Sequence, residues 1–499
     1  MKMFKKNFAI LTICCVVLEI FGFGFLGLKA RALAFETINE GVLTVGTEAG
    51  FPPFEYVGED GNPTGFDIEF IKAVGEKMGL KVEIQDMDFN SLVASVGTKV
   101  DVAIAGMTVT EERKLAVDFS EKYYDAEQCV IVRENSNIRS SSDLSGVTIA
   151  AQLGTTGNIL ADEIVEKYPE TILRTYDKFN NAVNDLRAER VDAIILDKVP
   201  ARTFEKIYKD ELKTIPGDEF DFEIEKYAIA MPKNNPALQN AINNAIAEVK
   251  DDGTYDKILD KYINADISSD SKGLWEQFVS SFIESNRFVL YLNGLLVSIE
   301  IAVFAALIGL ALGMVLALMK IAKNRKGKRP IFSYIADFYI DVIRGTPLVL
   351  QLLIMWFIVM QSSKNGILVA TLTFGLNSAA YVAEIIRSGI LAISKGQMEA
   401  GISMGFSKIQ TMRYIVLPQA LKNSLPSLCN EFISLLKETA IVGYVALSDL
   451  TRVANQISSA TYQPFMPLIG AALIYFVVIK LLSSLVKMLE KRLNKYDIC

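Results

Sequence analysis

The sequence predicts two fold classes in series: an α/β domain of two lobes, and behind it an all-α membrane domain of about five helices. Three observations carry that reading. Residues 36–270 mix charge with short apolar runs that alternate between strand and helix patterns, whereas residues 289–489 hold apolar segments near the roughly 20 residues that span a bilayer. The connections between those segments are in part strongly basic and in part near neutral, as expected if Lys and Arg collect in the cytoplasmic loops. Composition agrees, because 51% of the 499 residues are hydrophobic while 22% are charged, so a membrane part and a soluble part share one chain.

Taken in order, residues 1–34 carry Lys2, Lys5 and Lys6, an apolar run over 8–28 interrupted by Glu19, and the small residues Ala30, Ala32 and Ala34. That pattern predicts a signal peptide or an N-terminal anchor, so residue 36 onward starts outside. Residues 36–268 then read VLTVGT, FDIEFIKAVGEKMG, KVEIQDM, SLVASVGT and VDVAIAG, a βαβαβ series and hence a parallel sheet. A second such set runs from GVTIAAQ at 146–152 to VDAIIL at 191–196, and EKYAIAMP at 225–232 returns to the first. The expected lobes are 42–127 with 230–264, and 132–224; two crossovers between them imply a hinge. A linker is expected over 269–288 and the membrane domain over 289–492. Its candidate spans are 295–319, 340–360 (interrupted by Arg344-Gly345-Thr346-Pro347), 366–386, 425–447 and 466–489. The loop after the first reads KIAKNRKGKR at 320–329, and 391–423 carries Lys395, Lys408, Arg413 and Lys422 against Glu399. Both therefore lie inside, and an odd number of spans puts the C-terminus there too.

Catalysis is not what this sequence is built for. It contains no histidine, which removes the commonest general base and metal ligand. Cys129 is the one cysteine of the soluble region, so no internal disulfide forms there; Cys14 and Cys15 fall in the leader, Cys429 in a membrane segment and Cys499 at the terminus. The phosphate-binding pattern G-x-x-x-x-G-K-[ST] is absent, and Gly327-Lys328 lacks both its spacing and the following Ser or Thr. Binding and movement are the expected functions.

The stretch EAGISMGFSKIQTMRYIVLP at 399–418 predicts a short helix-turn-helix on the cytoplasmic face, with Gly405 allowing the turn and Pro418 ending the second helix. It resembles the coupling loop of bacterial ABC-importer permeases, matched here by Glu399, Ala400, Gly405, Ile415, Leu417 and Pro418, with Gly401 in place of a second alanine. RGTPLVLQL at 344–352 and NSAAYVAEIIRSGI at 377–390 resemble the polar-amino-acid branch of those permeases. The resemblance implies the type I importer fold, a separate cytoplasmic ATPase carrying the ATP and magnesium, a second permease copy as a homodimer, and no nucleic acid. Glu384, Arg387 and Glu431 sit within apolar spans, where a charge is costly; they line a translocation path or anchor helix to helix.

In α/β folds ligands bind beyond the carboxyl ends of strands. Here those ends read GTEAGFPPFE at 46–55, AGMTVTEER at 105–113, QLGTTG at 152–157 and LDK at 196–198. The set resembles the periplasmic polar-amino-acid-binding proteins and implies their class II fold. By that resemblance Arg113 forks onto the substrate α-carboxylate, Gly106 and Thr108 hold the backbone of the amino acid, and Thr155 and Thr156 open a helix whose free amides take the carboxylate. Asp197 receives the α-ammonium, Phe51 and Phe89 enclose the side chain, and Glu48 reads its far end. Gln152 and Leu196 stand where some glutamine binders have lysine and histidine, so glutamine specificity is not implied. An acid at position 48 ranks arginine and lysine first, glutamine and histidine next, and excludes acidic amino acids. A ligand-gated receptor or channel would use the same lobes without the 399–418 signature, and an enzyme such as a cyclohexadienyl dehydratase would need no spans.

Overall fold

The computed structural model describes residues 35–58, 60–264, 273–322 and 328–495, with side chains to residue 492. The expected leader at 1–34, part of the expected linker and residues 323–327 of the basic loop lie outside the described residues.

The first lobe is a five-stranded sheet of β1 (Val42–Thr47), β2 (Lys81–Asp86), β3 (Val102–Ala103), β4 (Asp118–Phe119) and a late strand, Ala230–Met231. β1 is buried almost throughout and pairs in parallel with β2, from Val42 opposite Lys81 to Thr47 opposite Asp86, and with β3 on its other side. Between β1 and β2 the helix α1 (Phe66–Met78) buries Phe66, Phe70, Ile71 and Val74, one face at helical spacing. The helix α2 (Phe89–Ser95) follows β2. β5 (Tyr124–Arg133) then carries the chain into the second lobe, where β6 (Thr148–Gln152), β7 (Ile172–Tyr176), β8 (Ala193–Asp197) and β9 (Leu212–Pro216) join it in the order β7-β6-β8-β5-β9. The helices α3 (Thr156–Lys167) and α4 (Phe179–Arg187) cover that sheet. The return strand β10 (Ile224–Tyr227) pairs antiparallel with the first half of β5, Tyr227 opposite Tyr124, so the crossover is a two-stranded ribbon.

In the membrane half, α5 (Arg287–Ile321) leads into α6 (Ile331–Arg344) and α7 (Leu348–Ile354), the latter extended by a wider turn to Val359. These two are bent by 103° at the expected interruption, where Pro347 caps α7. Next come α8 (Gly366–Leu391), α9 (Lys395–Ser403), α10 (Lys408–Thr411), α11 (Leu417–Glu438), α12 (Leu450–Thr461) and α13 (Phe465–Lys495). One face of α5 is a stripe of small residues, Ala305, Gly309, Gly313 and Ala317, all buried. A Cβ added at Gly309 would come 2.9 Å from Ser378, at Gly313 2.6 Å from Val382, and at Gly375 2.8 Å from Ile308. Those pairings advance together along both helices, so α5 and α8 run parallel with their backbones in close approach, as small residues permit in lipid. The opposite face of α5 leaves Leu307 and Val315 exposed, and α13 does the same with Leu473 and Phe476.

Among the described residues three helices are long and apolar enough to cross a membrane, within 274–321, 366–391 and 465–492, and the bent pair makes a fourth path. The remaining expected span, 425–447, falls outside that count. It belongs to α11, which starts earlier, holds Pro426 inside and passes into a tight 3-10 segment, Thr439–Val445. At 22 residues α11 is about 33 Å long, but Lys422, Glu431, Lys437 and Glu438 keep it less apolar than the others.

Candidate functional site

Nine of the ten residues expected in the cleft border one narrow cavity between the lobes: Glu48, Phe51, Phe89, Gly106, Arg113, Gln152, Thr155, Thr156 and Asp197. Thr108 stands just behind it. Arg113 is placed by a one-and-a-half-turn helix that Thr110 caps, its hydroxyl accepting from the Arg113 amide at 3.2 Å. The guanidinium donates to the Thr108 carbonyl at 2.7 Å and to the Gly154 carbonyl of the other lobe at 3.0 Å, and lies 5.4 Å from the Phe89 ring centre. Burial pulls its pKa down while nearby Glu225 and Asp197 oppose that shift. Two of its five N–H groups are spent on carbonyls, which leaves three for a ligand.

Asp197 ends β8 and is buried, and Tyr227 donates its hydroxyl to it. Burial, reinforced by Glu225, pushes the Asp197 carboxyl up to about 7. Glu225 accepts from Thr108 at 2.5 Å, Thr156 at 2.9 Å and Gln128 at 3.3 Å, tying both lobes beneath the cavity. Phe51 stacks on Phe54 at 5.6 Å and meets Phe179 of α4 at 5.5 Å, an aromatic wall shared by the lobes.

Three placements depart from the sequence expectation. The Gly106 amide is held by Asp67 at 2.7 Å, so its carbonyl is the group left for a ligand; its φ of +50° and the Phe51 and Tyr227 rings, 3.0 and 3.1 Å from any added Cβ, explain why glycine stands there. The Thr155 hydroxyl is consumed as the cap of α3, accepting from Asn158 and donating to the Gln152 carbonyl. The Glu48 carboxylate already faces a cation: Lys178 pairs with one oxygen, and Gln152 donates to the other at 3.1 Å. Sequence reasoning missed Lys178, Phe179, Glu55, Glu225 and Tyr227. The last two lie in EKYAIAMP, which was legible as a strand but gave no sign of which side chains turn into the cleft.

The lobes rest on the membrane half. Arg452, near the start of α12, donates from Nε to Asp86 at 3.0 Å and from NH1 to Asp88 at 3.0 Å, and Gln456 reaches Asp86 at 2.6 Å. Lys99 donates to the Met360 and Ser363 carbonyls at 3.0 and 2.6 Å and sits 3.7 Å from the Trp356 ring centre. The second lobe touches the far end of the same helix, where Tyr208 donates to the Tyr462 carbonyl at 2.8 Å and Phe204 meets the Tyr462 ring edge-on. A second cavity, about 280 Å³, lies between the cleft and this surface; Glu48, Phe89 and Gln152 border both cavities.

At the opposite end of α8, residues 395–418 form the expected helix-turn-helix. Gly405 makes the turn at φ +89°, with no atom within 4 Å of an added Cβ, and Ser407 and Gln410 cap α10 reciprocally. Glu399, Ala400, Gly405 and Pro418 are exposed, while Ile415 and Leu417 are half-buried. Ile402, Met404, Ile409 and Tyr414 add exposed apolar surface. Pro418 does not end a helix as expected: the backbone stays helical through the wide turn over Met412–Val416 and on into α11, and Pro418 stands just after that wide turn. Gly401 is buried, and an added Cβ would overlap the Thr411 methyl and come 2.9 Å from its hydroxyl. Glu384 is paired with Lys320 and accepts from Arg387 at 2.8 Å, and Lys320 also meets Asp337 at 3.2 Å, an interhelical network rather than free charges. Glu431 accepts from Ser378 of α8 at 2.9 Å.

Residues 43–265 match the bacterial extracellular solute-binding proteins, family 3, and residues 294–495 match the binding-protein-dependent transport system inner membrane component. The membrane half is 46% identical over 209 residues to the arginine transport system permease protein ArtQ of Bacillus subtilis (strain 168), covering 41% of this chain and 93% of that protein. It is 39% identical over 210 residues to the putative glutamine transport system permease protein GlnP of Rickettsia felis, covering 42% and 94%. The soluble half is 36% identical over 227 residues to the arginine-binding extracellular protein ArtP of Bacillus subtilis, covering 45% and 87%.

Proposed function

Because the chain belongs to the amino acid ABC transporters, with a family 3 solute-binding domain fused to the inner membrane permease, we propose that it captures a basic L-amino acid outside the cell and imports it with a separate ATPase. The observation that carries the substrate reading is the convergence of Arg113, Asp197 and Glu48 on one cavity. A guanidinium fork suits the α-carboxylate, the buried Asp197 the α-ammonium, and Glu48 a distal cation over the rings of Phe51 and Phe89. The relatives named for arginine and glutamine transport agree with this polar class.

Residues 399–418, exposed and partly apolar, are the surface on which the ATPase docks, with ATP and magnesium on that subunit and no catalytic site here. The lobes face outward and the C-terminus the cytoplasm, and two copies pair about a two-fold axis to enclose the path. That exposed loop face supports a transporter over a ligand-gated receptor, which has no need of it. The test is equilibrium binding of all common L-amino acids to the full chain in lipid nanodiscs. Arginine and lysine should bind most tightly and glutamate not at all; tight glutamate binding overturns the reading.

A further inference from the structure

Lys178 is the N-cap residue of α4 in the second lobe, yet its ammonium reaches across to Glu48 of the first. Asp88 Oδ1 lies 3.4 Å away as a second acceptor. The lysine lies at the boundary of the two cavities. Glu48, Phe89 and Gln152 border both the cleft and the larger space against the membrane half, whereas Lys178 borders the larger one alone. Its ammonium therefore approaches Glu48 from the membrane side, while a substrate approaches from the cleft. With Gln152 on one oxygen and Lys178 on the other, the Glu48 charge is met before any substrate arrives.

The geometry points to Lys178 as a specificity-determining residue: a tethered ammonium that fills the cation position at Glu48 and yields it to the cation of a basic amino acid by moving onto Asp88. This rests on the basic-substrate reading above. The move keeps every charge paired. Lysine is a point charge on a four-carbon stem, its side chain is 16% exposed into the larger cavity, and on Asp88 it shares an acceptor, Oδ1, that already takes a bond from Arg452 at 3.0 Å. A neutral side chain brings no charge to exchange, so Lys178 then stays and spares the closed cleft an unpaired carboxylate. Lys178 thus lets one cleft close on a neutral polar amino acid as well as on a basic one, and it narrows the difference between them.

The experiment measures L-arginine and L-glutamine affinities on the full chain in nanodiscs. Lys178→Met keeps the stem and removes the charge. The ratio of arginine to glutamine affinity should rise at least tenfold, about 1.4 kcal/mol, even though losing an inter-lobe pair weakens both ligands. Lys178→Arg should leave the ratio near that of the parent, and the effect of Lys178→Met should vanish in a Glu48→Gln background. Lys178→Gln serves if the methionine variant does not fold. A ratio that moves less than twofold, or that moves equally when Glu48 is Gln, overturns the role of Lys178. Failure of the parent to bind arginine at all instead overturns the basic-substrate reading, and this proposal with it.

Discussion

Replacing Arg452 by glutamine should release the binding lobes from the membrane helices while leaving the cleft able to bind. The guanidinium holds Asp86 as a fork, Nε to Oδ2 at 3.0 Å and NH2 to Oδ1 at 2.9 Å, and reaches Asp88 at 3.0 Å. The Arg452 and Asp86 side chains are 8% and 10% exposed, and removing one partner of so buried a pair costs about 3–5 kcal/mol. Asp86 keeps the Ala49 amide at 2.8 Å and Gln456 at 2.6 Å, which argues for the low end. About 3 kcal/mol is roughly a 150-fold fall in the ratio of docked to undocked domain. Pulsed EPR distances between spin labels at Glu83 in the first lobe and Leu296 on α5 read that ratio directly. The distribution should broaden in Arg452→Gln, and also in Asp86→Asn, which leaves the membrane half untouched. A narrow, unchanged distribution in both variants refutes the reasoning.

Gly401→Ala gains about 1 kcal/mol of helix propensity but pushes a methyl into Thr411, and overpacking costs about 1–3 kcal/mol. Hydrogen exchange across 395–418 should therefore accelerate in the single variant and recover when Thr411→Ser is added; equal exchange in the two contradicts the contact. Arg113→Lys keeps the charge but loses the fork, so amino-acid affinity should fall at least tenfold by radioligand binding, and an unchanged affinity removes Arg113 from the site. Asp197 holds its proton up to about pH 7 in the empty cleft, and an α-ammonium needs the carboxylate. Binding below that pH must expel a proton, so affinity should drop about tenfold per unit from pH 7 to pH 5 and stay level just above 7. A flat profile over pH 5–7, or the same slope in Asp197→Asn, excludes that role.

Both fold classes were legible because each leaves a periodic trace: strand and helix patterns alternating over 42–264, and apolar segments of membrane length after 289. The cleft residues were legible where strand ends carry compact motifs, and the structure gathers Arg113, Thr156 and Asp197 from three such ends around one cavity. Lys178 was not legible, because it lies in an ordinary YDKFNN loop and matters only through a contact 130 residues away in sequence. Pro418 misled for a local reason: a proline usually stops a helix, but here the wide turn over Met412–Val416 precedes it and the helix runs on, which sequence alone does not show. The stretch expected as a span over 425–447 is carried by the second half of α11 and the 3-10 segment after it, and the charges of α11 keep it from counting as a span by length and composition.

The grip of α12 on both lobes has a mechanical consequence. Arg452 holds the first lobe and Tyr462 the second, ten residues apart, about 15 Å along the axis. A helix is stiff along its length, so with both grips intact each ångström by which the lobes part must swing this rod by about 4°. That helix is joined to α11 through residues 439–449 and to α13 through residues 462–464, so such a swing would bear on both. The two grips are unequal, a buried ionic clamp at one end and, at the other, hydrogen bonds from Tyr208 to the Tyr462 carbonyl and from Asn180 to Ser459 beside an aromatic edge.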